Sequence, residues 1–336
     1  MNTLKGNSQS VFNQSVPIAW QAMVESVWRL PFPAPWLIIG GILGGIGAAI
    51  SVQQGGGEIL RLVGMASALI AAAGNAVVLY GRMLQHVMLT FPALLDIDRQ
   101  EGQRWCCSRA AKILSVWPNI LAGLVLGLII VSVSYNLIIE KFVSVVGIAY
   151  GIFMFGSVGL VGGSMAWTML GIARMILAMG RDVPVKASLF EERTSIIRVA
   201  SRMMLRVSLV AIAVYALGVC IPFSYTPGLL GTLVTAVFGV FVILYFIIPQ
   251  FNLHRTLVRL KQAKIAKLIP QMERTFESVA QEPTAENLHQ LRELFQLQLV
   301  LNGRTSWSFG MKELLLLLGS VVIPLLVCIL GYILNR

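Results

Sequence analysis

The segment that decides the fold is residues 249–312, PQFNLHRTLVRLKQAKIAKLIPQMERTFESVAQEPTAENLHQLRELFQLQLVLNGRTSWSFGMK. It is the longest polar stretch in a chain of 336 residues that is 57% hydrophobic and only 12% charged. Soluble domains carry roughly a quarter charged residues, so most of this chain needs an apolar solvent. One long apolar run enters the segment and another leaves it. The composition therefore predicts a membrane protein with this segment outside the bilayer.

Apolar runs that can cross a bilayer as helices recur along the chain. They cover residues 36–52, 62–80, 113–135, 142–179, 207–223, 229–249 and 313–334. The fourth run is too long for one crossing, because it would measure ~57 Å as a helix against a hydrocarbon core of ~30 Å. It either projects past the membrane, which we expect, or breaks at Gly162-Gly163. We predict an all-α polytopic helical membrane protein with about seven transmembrane helices.

These runs divide the chain into four parts. Residues 1–35 form an amphipathic segment suited to the membrane surface, and residues 36–252 form a six-span transmembrane bundle with loops over 81–112 and 174–206. Residues 253–312 form a cytosolic helical hairpin, and residues 313–336 form the last transmembrane helix. The hairpin therefore lies between the last two spans.

Basic residues are concentrated on one predicted side of the membrane. Of the 26 Lys and Arg residues, 23 fall in the N-terminal segment or in residues 81–112, 174–206 and 253–312. Arg61, Lys141 and Arg336 fall on the other side. Because cytosolic loops carry an excess of Lys and Arg, we expect an integral membrane protein with its N-terminus in the cytosol and its C-terminus on the opposite side. This distribution explains the net charge of +11 without a nucleic-acid partner.

Two basic rows stand where spans meet the cytosol. The positions that we expect to contact phosphates of anionic lipid are Arg198, Arg202, Arg206, Arg255, Arg259, Lys261, Lys264 and Lys267. The sixth span is expected to continue into the second row as one helix, which Pro270 should kink or interrupt. Membrane lipid is thus the first predicted partner.

Beyond Pro270 the apolar residues follow helical spacing. Pro283 and Thr284 turn the chain, and the second helix carries Leu288, Leu291, Phe295 and Leu299 at steps of three and four. FQLQLVL within it also alternates as a strand does, but no partner strand is evident. Two such helices bury little by themselves, so we predict that these four leucine and phenylalanine side chains contact a partner. That partner is a second copy in a homo-oligomer, a membrane complex or a cytosolic protein.

Small and polar residues mark two further features of the spans. Gly40 with Gly44 and Gly41 with Gly45 form two GxxxG pairs, whose spacing lets helix backbones approach closely. Tyr150, Ser157, Ser164 and Thr168 share one face of the fourth span. Such a stripe either lines a polar path or joins neighbouring helices, and we favour the second interpretation.

The chain lacks an evident catalytic inventory. Its four cysteines and three histidines have no metal-binding spacing, and no phosphate loop or nucleophile motif occurs. We therefore expect no catalytic, cofactor or metal site, and a non-enzymatic protein that acts through assembly as a channel, a sensor-effector or a subunit of a complex. One alternative is a transporter of an uncoupled or anionic solute that uses the polar stripe and Arg174. Another is a lipid-directed enzyme using His86, Asp96 and Asp98.

Overall fold

A computed structural model describes residues 32–54, 56–93, 95–179, 181–182, 196–225 and 229–303, together with positions 315 and 319. The predicted amphipathic segment at the N-terminus and the predicted seventh span lie outside these residues, apart from a few positions. Within them the chain is helical throughout, with short turns between the helices. The all-α class is therefore confirmed for the part of the chain that the structure describes.

The described residues form eight α-helices, and a short 3-10 turn over Phe91–Ala93 separates the second from the third. In chain order they are α1 Ala34–Gln54, α2 Gly57–Thr90, α3 Arg99–Leu114, α4 Val116–Lys141, α5 Val145–Ala178, α6 Ile196–Tyr225, α7 Leu229–Gln281 and α8 Ala285–Gly303. Six segments that include α1, α2, α4, α5, α6 and α7 are long and apolar enough to cross a membrane.

Spans that are joined by a short turn, α1 with α2, α4 with α5 and α6 with α7, run antiparallel. Gly40 of α1 meets Ser67 of α2, whereas Trp36, one turn before Gly40, lies against Gly74, two turns after Ser67. The hydroxyl of Tyr80 in α2 donates to the carbonyl of Val207 in α6 at 3.0 Å. Because the direction reverses at each turn, the ends of the spans that carry the basic rows collect at one end of the bundle, called here the basic end.

The bundle has a buried centre and an apolar exterior. Helices α2 and α5 hold most of the buried side chains, including Tyr80, Leu84, Met154 and Met169. Helix α4 instead exposes a series of large apolar side chains: Leu121, Leu124, Val125, Leu128 and Ile129. An outward surface of this kind is unusual for a chain dissolved in water and is typical of helices that face lipid.

The long fourth run is one helix. Helix α5 continues for 34 residues without a break at Gly162-Gly163. The two glycines are tolerated because Gly163 lies against the backbone of Ala122 and Gly123 in α4, where a side chain would not fit. The prediction of a single helix is confirmed, and the alternative of two helices is wrong.

The predicted loop over residues 81–112 is largely helical, which corrects the sequence interpretation. Helix α2 extends to Thr90 because Leu84, Val87 and Met88 continue its buried face. Asp98 then caps α3 by accepting a hydrogen bond from the backbone of Gln100 at 3.1 Å. Helix α3 packs on the basic end through Gly102, Cys106 and Ala110, which are spaced four apart.

Helix α7 runs for 53 residues through both Pro249 and Pro270. The prediction that the sixth span continues into the hairpin as one helix is therefore confirmed, and an interruption at Pro270 is wrong. The second hairpin helix, α8, packs against α7. Over its full length α7 measures ~80 Å, far more than a bilayer requires.

Ion pairs join helices at both ends of the bundle. At the basic end the Arg109 guanidinium in α3 lies 2.7 Å from the carboxylate of Asp182, which follows α5. At the opposite end the Lys141 ammonium lies 3.0 Å from Glu58 and 3.1 Å from Glu140. All of these groups are exposed or partly exposed, so solvent screens the pairs and each contributes little to stability.

Candidate functional site

The hairpin begins where α7 leaves the bundle. Its turn is stabilised by local hydrogen bonds, since the Thr284 hydroxyl accepts from the backbone of Asn287 at 3.3 Å and the Asn287 side chain donates to the Glu282 carbonyl at 3.1 Å. Thr284 therefore caps α8 in the way that threonine commonly does. The segment FQLQLVL lies within α8, so its helical interpretation is confirmed.

One row of side chains on each helix forms the seam of the hairpin. On α7 this row comprises Ile265, Leu268, Met272 and Val279, and on α8 it comprises Leu291, Leu294 and Gln298. Each of these side chains is half-buried, and among the described residues of the hairpin beyond residue 260 none is fully buried. The seam therefore excludes water only in part, as expected for two helices packed without a third element.

A second row on each helix remains exposed. On α8 it consists of Leu288, Phe295 and Leu299, which are 50%, 49% and 70% exposed. On α7 it consists of Ile269 and Phe276, which are 44% and 62% exposed. We call these five residues the apolar face.

The apolar face contains three of the four predicted partner contacts. Leu291 is the exception, because it lies half-buried in the seam. Ile269 and Phe276 were absent from the prediction, although their spacing of seven repeats that of Leu288 and Phe295. That repeat is the signal that could have found them.

The predicted lipid contacts lie at the basic end. Arg202 and Arg206 are exposed on α6, Arg255, Arg259 and Lys267 are exposed on α7, and Lys261 and Lys264 are half-buried. The side chain of Arg198 lies outside the described residues. Contact with lipid phosphate stays a prediction.

One exposed stripe on α7 leads directly into these basic residues. Val240, Leu244, Ile247 and Phe251 are spaced four, three and four apart and are all exposed. Arg255 follows one turn later, with its guanidinium carbon 4.8 Å from the centre of the Phe251 ring. An apolar stripe that ends in an aromatic ring and an arginine is the pattern of a helix leaving hydrocarbon for the headgroup region.

The polar stripe of α5 makes contacts with two different helices. The Tyr150 hydroxyl donates to the Leu43 carbonyl of α1. Ser164 lies 3.1 Å from the Asn119 carbonyl of α4, and the Thr168 hydroxyl donates to the Asn119 side chain at 3.2 Å. Ser157 is half-buried. These contacts support the interpretation of the stripe as a helix-joining feature.

Asn119 is a buried polar residue at the junction of three helices. Its side chain is 0% exposed and donates to the carbonyls of Ile113 at 3.0 Å and Ser115 at 2.7 Å. Ile113 lies in the last turn of α3, where carbonyls lack a helical donor, and Ser115 is the residue that caps the start of α4. The same amide thus joins the end of α3, the start of α4 and the middle of α5. In the sequence, Asn119 directly follows Pro118 near the start of a helix, and a polar residue at such a place is a candidate for capping a neighbouring helix end.

Of the four predicted packing glycines, two meet a neighbouring helix within the chain. A Cβ on Gly40 would lie 2.9 Å from the Ser67 carbonyl oxygen, and one on Gly44 would lie 3.3 Å from the Ser67 hydroxyl. Gly41 and Gly45 have nothing within 4 Å. Four other glycines, Gly123 and Gly127 of α4 and Gly159 and Gly163 of α5, pack against the backbone of the facing helix and form two GxxxG pairs of the same spacing.

The residues of the proposed lipid enzyme have other surroundings. Asp98 is the cap of α3, whereas His86 and Asp96 are exposed. Among the described residues, no group of three or more His, Cys, Asp or Glu side chains could hold a metal ion. Arg174, proposed for the transporter alternative, is exposed at the basic end of α5.

No protein-family model, no curated protein and no solved structure matches this chain.

Proposed function

We propose that this chain is a non-enzymatic integral membrane protein that acts through assembly, with its hairpin coupling a partner or a neighbouring subunit to the spans. The observation that carries the proposal is the apolar face, whose five large apolar side chains are exposed, whereas the seam residues of the same two helices are half-buried. Ile269 lies 14 residues beyond Arg255, a distance of ~21 Å along the helix. The apolar face therefore begins beyond Arg255, Arg259, Lys261 and Lys264.

The continuous helix supports coupling rather than simple attachment. Because α7 is one helix from Leu229 to Gln281, a displacement of the hairpin is transmitted to the residues that pack in the bundle. Gln250 and Ser201 form one such contact, with a buried hydrogen bond of 3.1 Å between α6 and α7. Asn252 forms another by donating to the Leu177 carbonyl of α5 at 3.3 Å. A channel, a sensor-effector or a subunit of a complex would each use this connection.

Changing Leu288 to lysine together with Phe295 to lysine is expected to abolish assembly while leaving the bundle folded. Both side chains are about half exposed, so the free chain loses little packing, whereas a partner would have to desolvate two ammonium groups. The measurement is native electrophoresis and mass determination of protein purified from its own membrane in mild detergent. Gln290 and Gln296 changed to lysine form the matched control, since both are exposed and polar. A wild-type chain that is monomeric and carries no other protein would contradict the proposal.

We further propose that the basic end faces the cytosol. A cysteine introduced at Thr284 is expected to resist a membrane-impermeant maleimide in sealed right-side-out vesicles, and one at Val143 is expected to react fully. Val143 is 84% exposed between α4 and α5 at the opposite end, and Thr284 is exposed in the hairpin turn. The four native cysteines are first changed to alanine, and detergent should make both positions reactive. The reverse labelling pattern would contradict the positive-inside assignment.

A further inference from the structure

The two exposed rows of the hairpin lie on the same side of it. The row of the apolar face lies about a sixth of a turn from the seam row on α7 and about a quarter of a turn on α8, counted in the same rotational sense at ~100° per residue. Because α7 and α8 are antiparallel, rotations in the same sense from the seam point both rows to one side. Ile269 and Phe276 therefore lie on the same side of the hairpin as Leu288, Phe295 and Leu299.

Two apolar rows separated in this way are the pattern of a helix that packs against two different neighbours. A helix in a two-stranded pair needs a single narrow stripe, whereas a helix in a four-helix bundle carries a wider one. Each hairpin helix has its first neighbour within the chain. Its second row therefore requires another helix pair, and a second hairpin supplies one with the same dimensions.

We infer that the apolar face binds the hairpin of a second copy of this chain, and that the two hairpins form a four-helix bundle outside the membrane. This inference rests on the proposed function, because it names the partner of the same face. Two copies in one membrane share their orientation, so their two-fold axis runs along the membrane normal and along the helices. In that arrangement α7 of one copy lies beside α8 of the other.

Charges beside the apolar face complement one another in this arrangement. Residues equally distant from the turn lie at the same level, since both helices rise ~1.5 Å per residue. Glu273 of α7 therefore lies at the same height as Arg292 and Glu293 of α8, and Glu277 lies at the same height as His289. Glu273 and Arg292 are both exposed and both lie just beyond the apolar rows. Within one hairpin they lie on opposite outer edges, and between two copies they meet.

The charge arrangement gives a test that only a second copy can satisfy. Two differently tagged full-length chains are co-expressed, and co-purification of one tag with the other is measured in mild detergent. Glu273→Arg in both chains places arginine against arginine, and Arg292→Glu in both places glutamate against glutamate. Each is expected to weaken self-association by about tenfold.

Mixing the two variants is expected to restore association. A chain with Glu273→Arg beside a chain with Arg292→Glu pairs arginine with glutamate at both edges of the interface, so co-purification should return to within about threefold of wild type. Gln271→Arg and Gln290→Glu serve as controls that change charge on the opposite, polar side of the hairpin. They should leave association unchanged.

The outcomes separate this inference from the proposed function. Failure of the mixed variants to restore association overturns the second-copy inference, as does a wild-type chain that co-purifies only with a different protein. In the latter case the proposed function still stands, because the face has a partner. A monomeric wild-type chain without any partner overturns both.

Discussion

Replacing Asn119 by leucine is expected to lower the free energy of unfolding by about 2–4 kcal/mol, although the change makes the interior more apolar. The amide donates to the carbonyls of Ile113 and Ser115 and accepts from Thr168. Leucine leaves the two carbonyls without these donors in a position that is 0% exposed. The measurement is thermal denaturation of the purified protein in detergent, followed by loss of its monodisperse peak.

Thr168→Val provides the matched control for this prediction. It removes only the hydroxyl that contacts Asn119 and leaves both donations of the amide in place, so its cost should be about 1 kcal/mol. An equal effect of the two variants would mean that the carbonyls at the junction of α3 and α4 do not depend on Asn119. A variant that is as stable as wild type would contradict the role of this residue altogether.

Gly163→Ala is expected to destabilise the protein by about 1–3 kcal/mol, whereas Gly162→Ala should be neutral or stabilising. A methyl group on Gly163 would overlap the backbone of Ala122 and Gly123, which cannot move aside as a side chain can. On Gly162 the nearest atom is Cδ2 of Leu126 at 3.6 Å, an ordinary contact. Both variants are made in the same helix and measured by the same denaturation assay.

The order of these two effects tests the close approach of α4 and α5. If Gly162→Ala were the more damaging change, the helix would be rotated by roughly 100° from the arrangement described here. A further loss is expected when Gly159→Ala is added, because that methyl group would overlap the backbone of Gly127. Sites on one interface of this kind couple, so the combined loss need not equal the sum.

Much of the fold could be predicted because its signals are local. The length of the apolar runs predicted the spans within the described residues, and apolar spacing of three and four predicted the two hairpin helices. The predicted loop over 81–112 failed for a local reason as well. Charged residues such as Arg104 and Arg109 favoured a solvent-exposed loop. An amphipathic helix, however, needs only one buried stripe to pack on the bundle, and Gly102, Cys106 and Ala110 supply it.

The candidate site was only partly accessible from sequence. Exposed and seam positions of α8 have the same residue types, since Leu288 and Leu291 are both leucine at helical spacing. Burial alone distinguishes them, and burial depends on the direction from which α7 approaches. The contribution of Ile269 and Phe276 to the apolar face depends on the same geometry, because the two helices must be antiparallel for their rows to meet on one side.

By itself the sequence determined the helical class, the apolar runs, the asymmetry of charge between the two ends and the existence of a polar hairpin. Those properties follow from composition and from periodicity along one helix, which need no knowledge of neighbours. Only the tertiary structure decided which glycines meet, with Gly123, Gly127, Gly159 and Gly163 closely packed while Gly41 and Gly45 have nothing within 4 Å. It also decided which apolar residues of residues 249–312 remain exposed. Both depend on how each helix is rotated about its own axis, and that rotation is set by all of its neighbours together.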